Sequence, residues 1–153
     1  GEIPLSFEVD TLYNGQIQSF PIVLGDDTTP GDGVYGLAFS LQYDPAIISS
    51  ESIQVAFPDS WLTSGTTPLT YFKVDPDNKL LHVAISRTDQ MNASGNGTIA
   101  TVSLSANAAD SSAITSFQIV DAKIIAADET AIPALTASTT VAVQTVTNTA
   151  AMH

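Results

Sequence analysis

Apolar and polar residues alternate with a period of two along much of this chain. Between Leu37 and Tyr43 every second side chain is apolar, and the positions between them hold Ala38, Ser40 and Gln42. Residues 81–86 and 99–104 repeat the pattern. Successive side chains of a β-strand point to opposite faces, so this period predicts strands with one buried face and one exposed face.

Similar segments bring the predicted number of strands to about nine. The further candidates are residues 3–10, 16–24, 52–56, 70–74, 116–126 and 137–145. Asn14-Gly15 and Asn96-Gly97 predict tight reversals, and the segment from Asp75 to Asn78 predicts a hairpin turn. Residues 25–33 predict a longer loop, and no segment predicts a long helix. The pattern therefore indicates an all-β sandwich or barrel.

We expect one domain over residues 1–146, followed by a tail at residues 147–153 that is either disordered or foreign to the natural protein. We also expect the domain to be one module of a larger protein.

Composition excludes several classes of function. The chain has 4 Lys and Arg against 16 Asp and Glu, a net charge of −12, so nucleic acid is not an expected partner. No apolar run is long enough for membrane insertion as a helix. The chain has no cysteine, which excludes disulfides and thiolate metal sites. The acidity favours a divalent cation or a basic partner, or it serves solubility alone.

Two stretches resemble a known family. The first reads Gly33-Val-Tyr-Gly-Leu-Ala-Phe-Ser-Leu-Gln-Tyr-Asp-Pro-Ala-Ile-Ile, and the second reads Asn78-Lys-Leu-Leu-His-Val-Ala-Ile-Ser-Arg, followed later by Gly97-Thr-Ile-Ala-Thr-Val-Ser-Leu. They are similar to the cohesin domain, and the resemblance covers about residues 5–126. It implies a nine-stranded jelly-roll β-sandwich in a secreted or cell-surface bacterial protein. It also implies a non-catalytic module that binds a protein partner, such as a dockerin, on a flat sheet face.

The alternation predicts which side chains such a face would present. They are small or polar, with few long charged side chains, and comprise Ala38, Ser40, Gln42, Lys73, His82, Ala84, Ser86, Thr101 and Ser103. Small side chains on a flat sheet allow a partner to approach closely, and the resemblance places partner binding on the corresponding strands. The alternative interpretation is an ordinary solvated sheet.

An acidic loop is the candidate metal site. Asp26, Asp27 and Asp32 lie among glycines, and oxygen ligands on a flexible loop suit Ca²⁺. The alternative is that these residues only turn the chain. We expect no other cofactor.

The sequence predicts no catalytic residues. A Ser-His-Asp arrangement would have to use His82, because the other histidine is terminal, and His82 fits a surface or interface position better. Trp61 and Tyr71 could stack on a polysaccharide, with burial under a loop as the alternative. Three hypotheses therefore stay open: a protein-binding module, a structural spacer in a large surface protein, and a carbohydrate-binding module.

Overall fold

The computed structural model describes residues 2–110 and 112–145, so the predicted tail at residues 147–153 lies outside the described residues. This part of the chain holds fourteen strands and two single-turn 3-10 helices, Ser50–Ser52 and Pro76–Asn78. The strands are β1 Ile3–Phe7, β2 Leu12–Tyr13, β3 Ile17–Leu24, β4 Gly31–Val34, β5 Gly36–Gln42, β6 Gln54–Ala56, β7 Leu69–Asp75, β8 Leu80–Ser86, β9 Ala93–Gly95, β10 Gly97–Ser105, β11 Ser112–Ile125, β12 Ala131–Ile132, β13 Ala134–Thr136 and β14 Ser138–Gln144.

Two sheets stack to form a jelly-roll β-sandwich, which confirms the predicted fold class. One sheet has the order β13-β1-β3-β10-β6, and the other has the order β2-β14-β11-β5-β8-β7 with β12 paired to β11. Each of the nine predicted strands has a counterpart, and the additional strands are short. Pairing is antiparallel except between β1 and β13 and between β2 and β14.

The apolar positions of both sheets meet in one core. Phe7 and Phe20 come from the five-stranded sheet and Phe117 from the seven-stranded sheet. Their ring centroids lie 5.8–6.4 Å apart at tilted or edge-on angles. Such geometry is favourable for aromatic pairs, so this cluster joins the two sheets at the centre of the sandwich.

A small two-stranded sheet corrects the predicted loop over residues 25–33. Gly31–Val34 pairs with Ala93–Gly95, and the indole of Trp61 packs against the glycines of both strands. A Cβ atom at Gly31 would lie 2.5 Å from this ring, and one at Gly95 would lie 2.9 Å from Trp61. Only glycine leaves room for the indole here, so tertiary packing turns part of the predicted loop into a strand.

The predicted reversal at Asn96-Gly97 does not form a hairpin. The strand before it, β9, pairs with β4, and the strand after it, β10, pairs with β3 and β6. The chain therefore passes from the small sheet into the five-stranded sheet at this point. The segment from Asp75 to Asn78 does join a hairpin, between β7 and β8, as predicted.

A β-bulge interrupts β11. Val120 pairs with Ser40 and Lys123 pairs with Ala38, so three positions of β11 correspond to two of β5. Asp121, inside the bulge, has φ of +54°. The extra residue lets Ile119 and Ile124 both face the core while Lys123 stays exposed.

A buried arginine fixes the connection between the two sheets. Residues 57–68 cross from β6 to β7, and Arg87 Nη1 donates to the carbonyl oxygens of Leu62 at 2.9 Å and Ser64 at 2.8 Å. Its Nε and Nη2 bind the carboxylate of Asp89 at 3.2 and 2.6 Å. These hydrogen bonds hold the pKa of Asp89 below its usual value. Arg87 therefore satisfies loop carbonyls that would otherwise lack a partner.

Candidate protein-binding face

Four strands of the seven-stranded sheet, β11, β5, β8 and β7, present a continuous outer surface, which we call the front face. The strand register aligns its outward residues in rows that cross all four strands. The rows are Ile125, Gly36, Ser86 and Leu69; Lys123, Ala38, Ala84 and Tyr71; and Val120, Ser40, His82 and Lys73. The two central strands therefore carry mainly small residues, and the two flanking strands carry mainly large ones.

This distribution of side-chain sizes makes a trough. Its floor is formed by Gly36, Ala38 and Ala84, and its walls include Leu69 and Tyr71, which are 68% and 55% exposed. The trough has a volume of about 320 Å³, and its lining is almost entirely apolar. The walls stand three strand spacings apart, which is about 14 Å. The trough is therefore wide and shallow enough to accept an element of a partner rather than a single small side chain.

Next to the trough, a serine, a histidine and an aspartate form a hydrogen-bonded chain. Ser40 Oγ lies 2.8 Å from His82 Nδ1, and His82 Nε2 lies 3.2 Å from Asp75 Oδ2. Asn78 also donates to Asp75 Oδ2, at 2.9 Å. The hydrogen bonds from Asn78 and then His82 hold the pKa of Asp75 below its usual value. An ionised Asp75 accepts from Nε2–H, which leaves Nδ1 to accept the hydroxyl proton of Ser40.

This Ser-His-Asp chain lacks the surroundings of a hydrolytic triad. Ser40 is only 5% exposed, and its strand β5 is hydrogen-bonded to β8 on one side and β11 on the other. Its backbone amides are therefore engaged in the sheet and are not free to form an oxyanion hole. The chain instead orients His82 on the outer surface of the sheet, which agrees with the expected surface or interface position.

The structure separates the predicted face into two surfaces. Seven of the predicted residues lie on the front face: Ala38, Ser40, Gln42, Lys73, His82, Ala84 and Ser86. Thr101 and Ser103 instead lie on β10, in the five-stranded sheet, and point away from the core on the opposite side of the sandwich. The prediction of a single face that includes them is wrong, because alternation shows which side of a strand is outward but not which sheet the strand joins.

Sequence reasoning singled out Tyr71 but missed the other apolar residues in the walls of the trough, Leu69 and Ile125. Leu69 immediately precedes the predicted strand over residues 70–74, and Ile125 lies near the end of the predicted strand over residues 116–126. The alternation pattern assigns apolar residues such as these to the core. Leu69 and Tyr71 alternate with Thr70, Phe72 and Val74. This alternation indicates that Leu69 and Tyr71 share one side of β7, which is the wall of the trough. Lys123 could not be placed from the pattern, because the bulge shifts the phase of β11.

The structure does not bring the three aspartates of the acidic loop together, and calcium binding by this loop stays a prediction. Asp26 Oδ1 accepts hydrogen bonds from the amides of Thr28 and Thr29, and Asp32 accepts one from Ser94 across the small sheet. Within residues 2–110 and 112–145, no three His, Cys, Asp or Glu side chains form a group that could hold a metal ion. Asp26, Asp27 and Asp32 are thus not brought together, because the first stabilises a turn and the last lies on β4.

The two candidate sugar-stacking aromatics have different surroundings. Trp61 is half-buried and packs against the core and the small sheet, with its Nε1 buried and without a hydrogen-bond partner in the described structure. Tyr71 is exposed on the wall of the trough. Trp61 therefore follows the alternative interpretation, burial under a loop, and Tyr71 belongs to the front face.

Across the described residues, no helix has the length and apolar character needed to cross a bilayer.

The fold places the domain in the class of jelly-roll β-sandwiches. The sequence profile of the cohesin domain matches residues 8–145. The chain therefore belongs to the cohesin family, whose domains are non-catalytic modules that bind other proteins. No curated protein sequence matches the chain.

Solved structures share the fold at low sequence identity. The OlpC cohesin of Clostridium thermocellum, solved with a dockerin, has a TM-score of 0.77 at 12% identity, with 95% of each chain covered. A scaffoldin B cohesin of Acetivibrio cellulolyticus, also in complex with a dockerin, has 0.72 at 15%, covering 95% of this chain and all of that one. A non-cellulosomal cohesin of the archaeon Archaeoglobus fulgidus has 0.62 at 15%, covering all of this chain and 97% of that one.

Proposed function

We propose that this domain is an extracellular, non-catalytic module that binds a dockerin-type partner on its front face. The proposal places the domain in a secreted or cell-surface protein. The carrying observation is the trough: an exposed apolar surface with a floor of Gly36, Ala38 and Ala84, on a chain that belongs to the cohesin family. Contiguous exposed apolar surface on a soluble domain is typical of an interaction site.

Further support comes from the contrast between the trough and the rest of the sheet. Small side chains on its floor let the backbone of a partner approach closely, and the exposed Leu69 and Tyr71 offer apolar area that binding would remove from water. Cohesins of similar fold have been solved in complex with dockerins. Those complexes show what the related cohesins bind. For this chain, a dockerin-type partner is what we propose.

The test is binding of purified, calcium-loaded dockerin modules, measured by calorimetry. Ala38→Arg would fill the floor of the trough and should weaken binding by at least about tenfold. Thr101→Arg is the matched control, because it places the same side chain on a central strand of the opposite sheet. Binding that is equally affected by both variants, or by neither, would contradict the assignment of the front face.

The other two hypotheses, a structural spacer and a carbohydrate-binding module, predict different binding results. A structural spacer predicts that no dockerin or native secreted protein binds the domain. A carbohydrate-binding module predicts retardation on polysaccharide gels that Tyr71→Ala abolishes, whereas Trp61 is engaged in packing.

A further inference from the structure

The strands at the ends of the two large sheets differ in length. The end strands β2, β6 and β13 have two or three residues, whereas β7, Leu69–Asp75, has seven. Short end strands are one way in which proteins prevent a sheet from pairing with another chain. The strand β7 is also regular, because its pairing with β8 has no bulge, and it contains no proline. Its outer edge is therefore suited to pairing with a further strand.

Alternate residues of β7 turn their backbone groups to this outer edge. The amide of Arg87 donates to the carbonyl of Tyr35, so odd-numbered residues along β8 turn their backbone groups towards β5. Even-numbered residues of β8 therefore turn theirs towards β7. Their partners in β7 are Leu69, Tyr71, Lys73 and Asp75. The amide and carbonyl groups of Thr70, Phe72 and Val74 consequently point to the outer edge.

Nothing in the described part of the chain covers this edge. Its hydrogen bonds in turns, loops and side chains do not include the backbone groups of Thr70, Phe72 or Val74. The crossover that leads into β7 is tied to Thr88, whose hydroxyl donates to the carbonyl of Thr67 at 2.7 Å, before β7 begins. Three amides and three carbonyls are thus available to an incoming strand.

The positions of these groups select one antiparallel register for two copies of β7. If Phe72 lies opposite Phe72 of the second copy, Thr70 lies opposite Val74, and three facing pairs exchange six hydrogen bonds, two for each pair. If Tyr71 or Lys73 lies opposite itself, only two pairs of open residues face each other, which gives four hydrogen bonds. The register centred on Lys73 also places two positive charges opposite each other, which is unfavourable.

The side chains of β7 favour the same register. With Phe72 at the centre, Tyr71 lies opposite Lys73 of the second copy, and this contact occurs twice. Both side chains are exposed on the front side of the sheet, and opposite residues of this kind have Cα atoms about 4.5 Å apart. A lysine ammonium group is attracted to the face of a tyrosine ring. The strand is therefore complementary to itself, which favours a second copy over an unrelated extended peptide.

We infer that β7 pairs antiparallel with β7 of a second copy of this chain, with Phe72 at the twofold axis. The two seven-stranded sheets then form one continuous sheet, and the two front faces lie side by side on the same side of it. The net charge of −12 on each copy opposes this association, so added salt should strengthen it. The inference goes beyond the proposed function, because it concerns self-association through a sheet edge.

The first test is sedimentation equilibrium of the purified domain over a range of concentrations, at low and at high salt. Thr70→Pro removes an amide that the fold does not use, at an edge position where proline is tolerated. It should weaken dimerisation at least about tenfold, because each copy loses one hydrogen bond and gains a ring at the seam. Thr70→Val is the matched control, since it keeps the amide and a β-branched side chain, and it should dimerise like the unmodified domain.

A second test does not depend on the folding of the proline variant. The chain has no cysteine, so single cysteines can report the register directly. When Tyr71→Cys and Lys73→Cys are mixed with oxidised glutathione, the disulfide between the two variants should dominate, because these positions face each other. Two copies of the same variant place their cysteines diagonally, about 7–8 Å apart, which is too far for a disulfide.

Several outcomes would overturn the inference. They are a monomer at every concentration and salt level, equal dimerisation of Thr70→Pro and Thr70→Val, and disulfides mainly between copies of one variant. Loss of the dimer in Ala38→Arg but not in Thr70→Pro would also overturn it, because that result would mean that two front faces stack on each other.

Failure of this inference can be distinguished from failure of the proposed function. If dockerin binding is lost in Ala38→Arg and the domain is always a monomer, the proposed function holds and the edge pairing is wrong. If the dimer forms in the expected register and no dockerin binds, the edge pairing holds and the proposed function is wrong.

Discussion

The outer faces of the two sheets are built from the same kind of sequence and yet differ as surfaces. The front face has a trough with apolar walls and also carries two lysines that form no ion pair within the part of the chain that the structure describes. The outer face of the five-stranded sheet, which we call the back face, has central strands bearing Ser19, Pro21, Thr101 and Ser103, with exposed Ile17 farther along β3 and exposed Leu135 on the edge strand β13. Small residues on the central strands of the front face leave a trough because the strands on both sides of them carry large residues.

The largest expected effect concerns what both faces share, the core between them. Phe117→Ala removes the ring that joins the sheets and should lower the free energy of unfolding by about 3–5 kcal/mol. Denaturant unfolding followed by Trp61 fluorescence and by circular dichroism should give one coincident transition. Phe117→Leu, which keeps most of the volume, should cost clearly less. Separate transitions for the two probes would show that the faces are not supported by one core.

The crossover between the sheets should be the next most sensitive region. Arg87→Ala leaves the carbonyl groups of Leu62 and Ser64 and the carboxylate of Asp89 without their partner, and should cost about 2–4 kcal/mol. Arg87→Lys keeps the charge but cannot reproduce the forked contacts, so it should recover less than half of the loss. Chemical denaturation checks both variants. An Arg87→Ala cost as small as that of a surface substitution would contradict the assigned role.

A direct comparison of the two faces uses one serine from each. Ser40→Ala removes a nearly buried hydroxyl that binds His82, and should cost about 1 kcal/mol. Ser103→Ala removes a solvent-accessible hydrogen bond to Ser19, and should cost a few tenths of that, about 0.3 kcal/mol. The two values come from paired urea titrations. If Ser103→Ala proved the costlier change, the buried network of the front face would not be the more ordered one.

The smallest expected effect is a pH dependence that belongs to the front face. The pKa of Asp75 is lowered in the folded chain, so its stabilising contribution is present above the ordinary carboxyl value of 3.8 and is lost as the pH falls through the lowered value. Asp75→Asn should therefore flatten the decline in stability below about pH 4. Urea midpoints at several pH values measure this decline. Asp77→Asn is the matched control, because it makes the same substitution in the same turn at a residue outside the hydrogen-bonded chain of Ser40, His82 and Asp75.

Much of the fold could be predicted from the sequence because the two-residue period is a local property. In the segments around Phe39, Val83 and Val102, the local alternation is enough to identify which side chains are buried, and the neighbouring strands need not be known. The small sheet could not be predicted, because the pairing of Gly31 with Gly95 involves packing against Trp61, which is distant from both glycines in the sequence.

The candidate site was predictable only in part, for the same reason. The pattern identified Ala38, Ser40 and His82 as outward residues, and the structure places them together. It could not assign Thr101 to the correct sheet, because sheet order depends on pairing between distant strands. The hydrogen-bonded chain through His82 likewise requires the register of β5, β7 and β8, which residue spacing alone does not give.

The bulge in β11 makes the length of that strand adjustable. Removal of Asp121 would leave Val120, Ala122, Lys123 and Ile124 in strict alternation, with the lysine still outward and the isoleucine still inward. A deletion elsewhere in β11 would instead turn every following side chain over. Deletion of Asp121, in evolution or by design, would therefore remove a negative charge near the trough and keep the orientation of the side chains that follow it in β11.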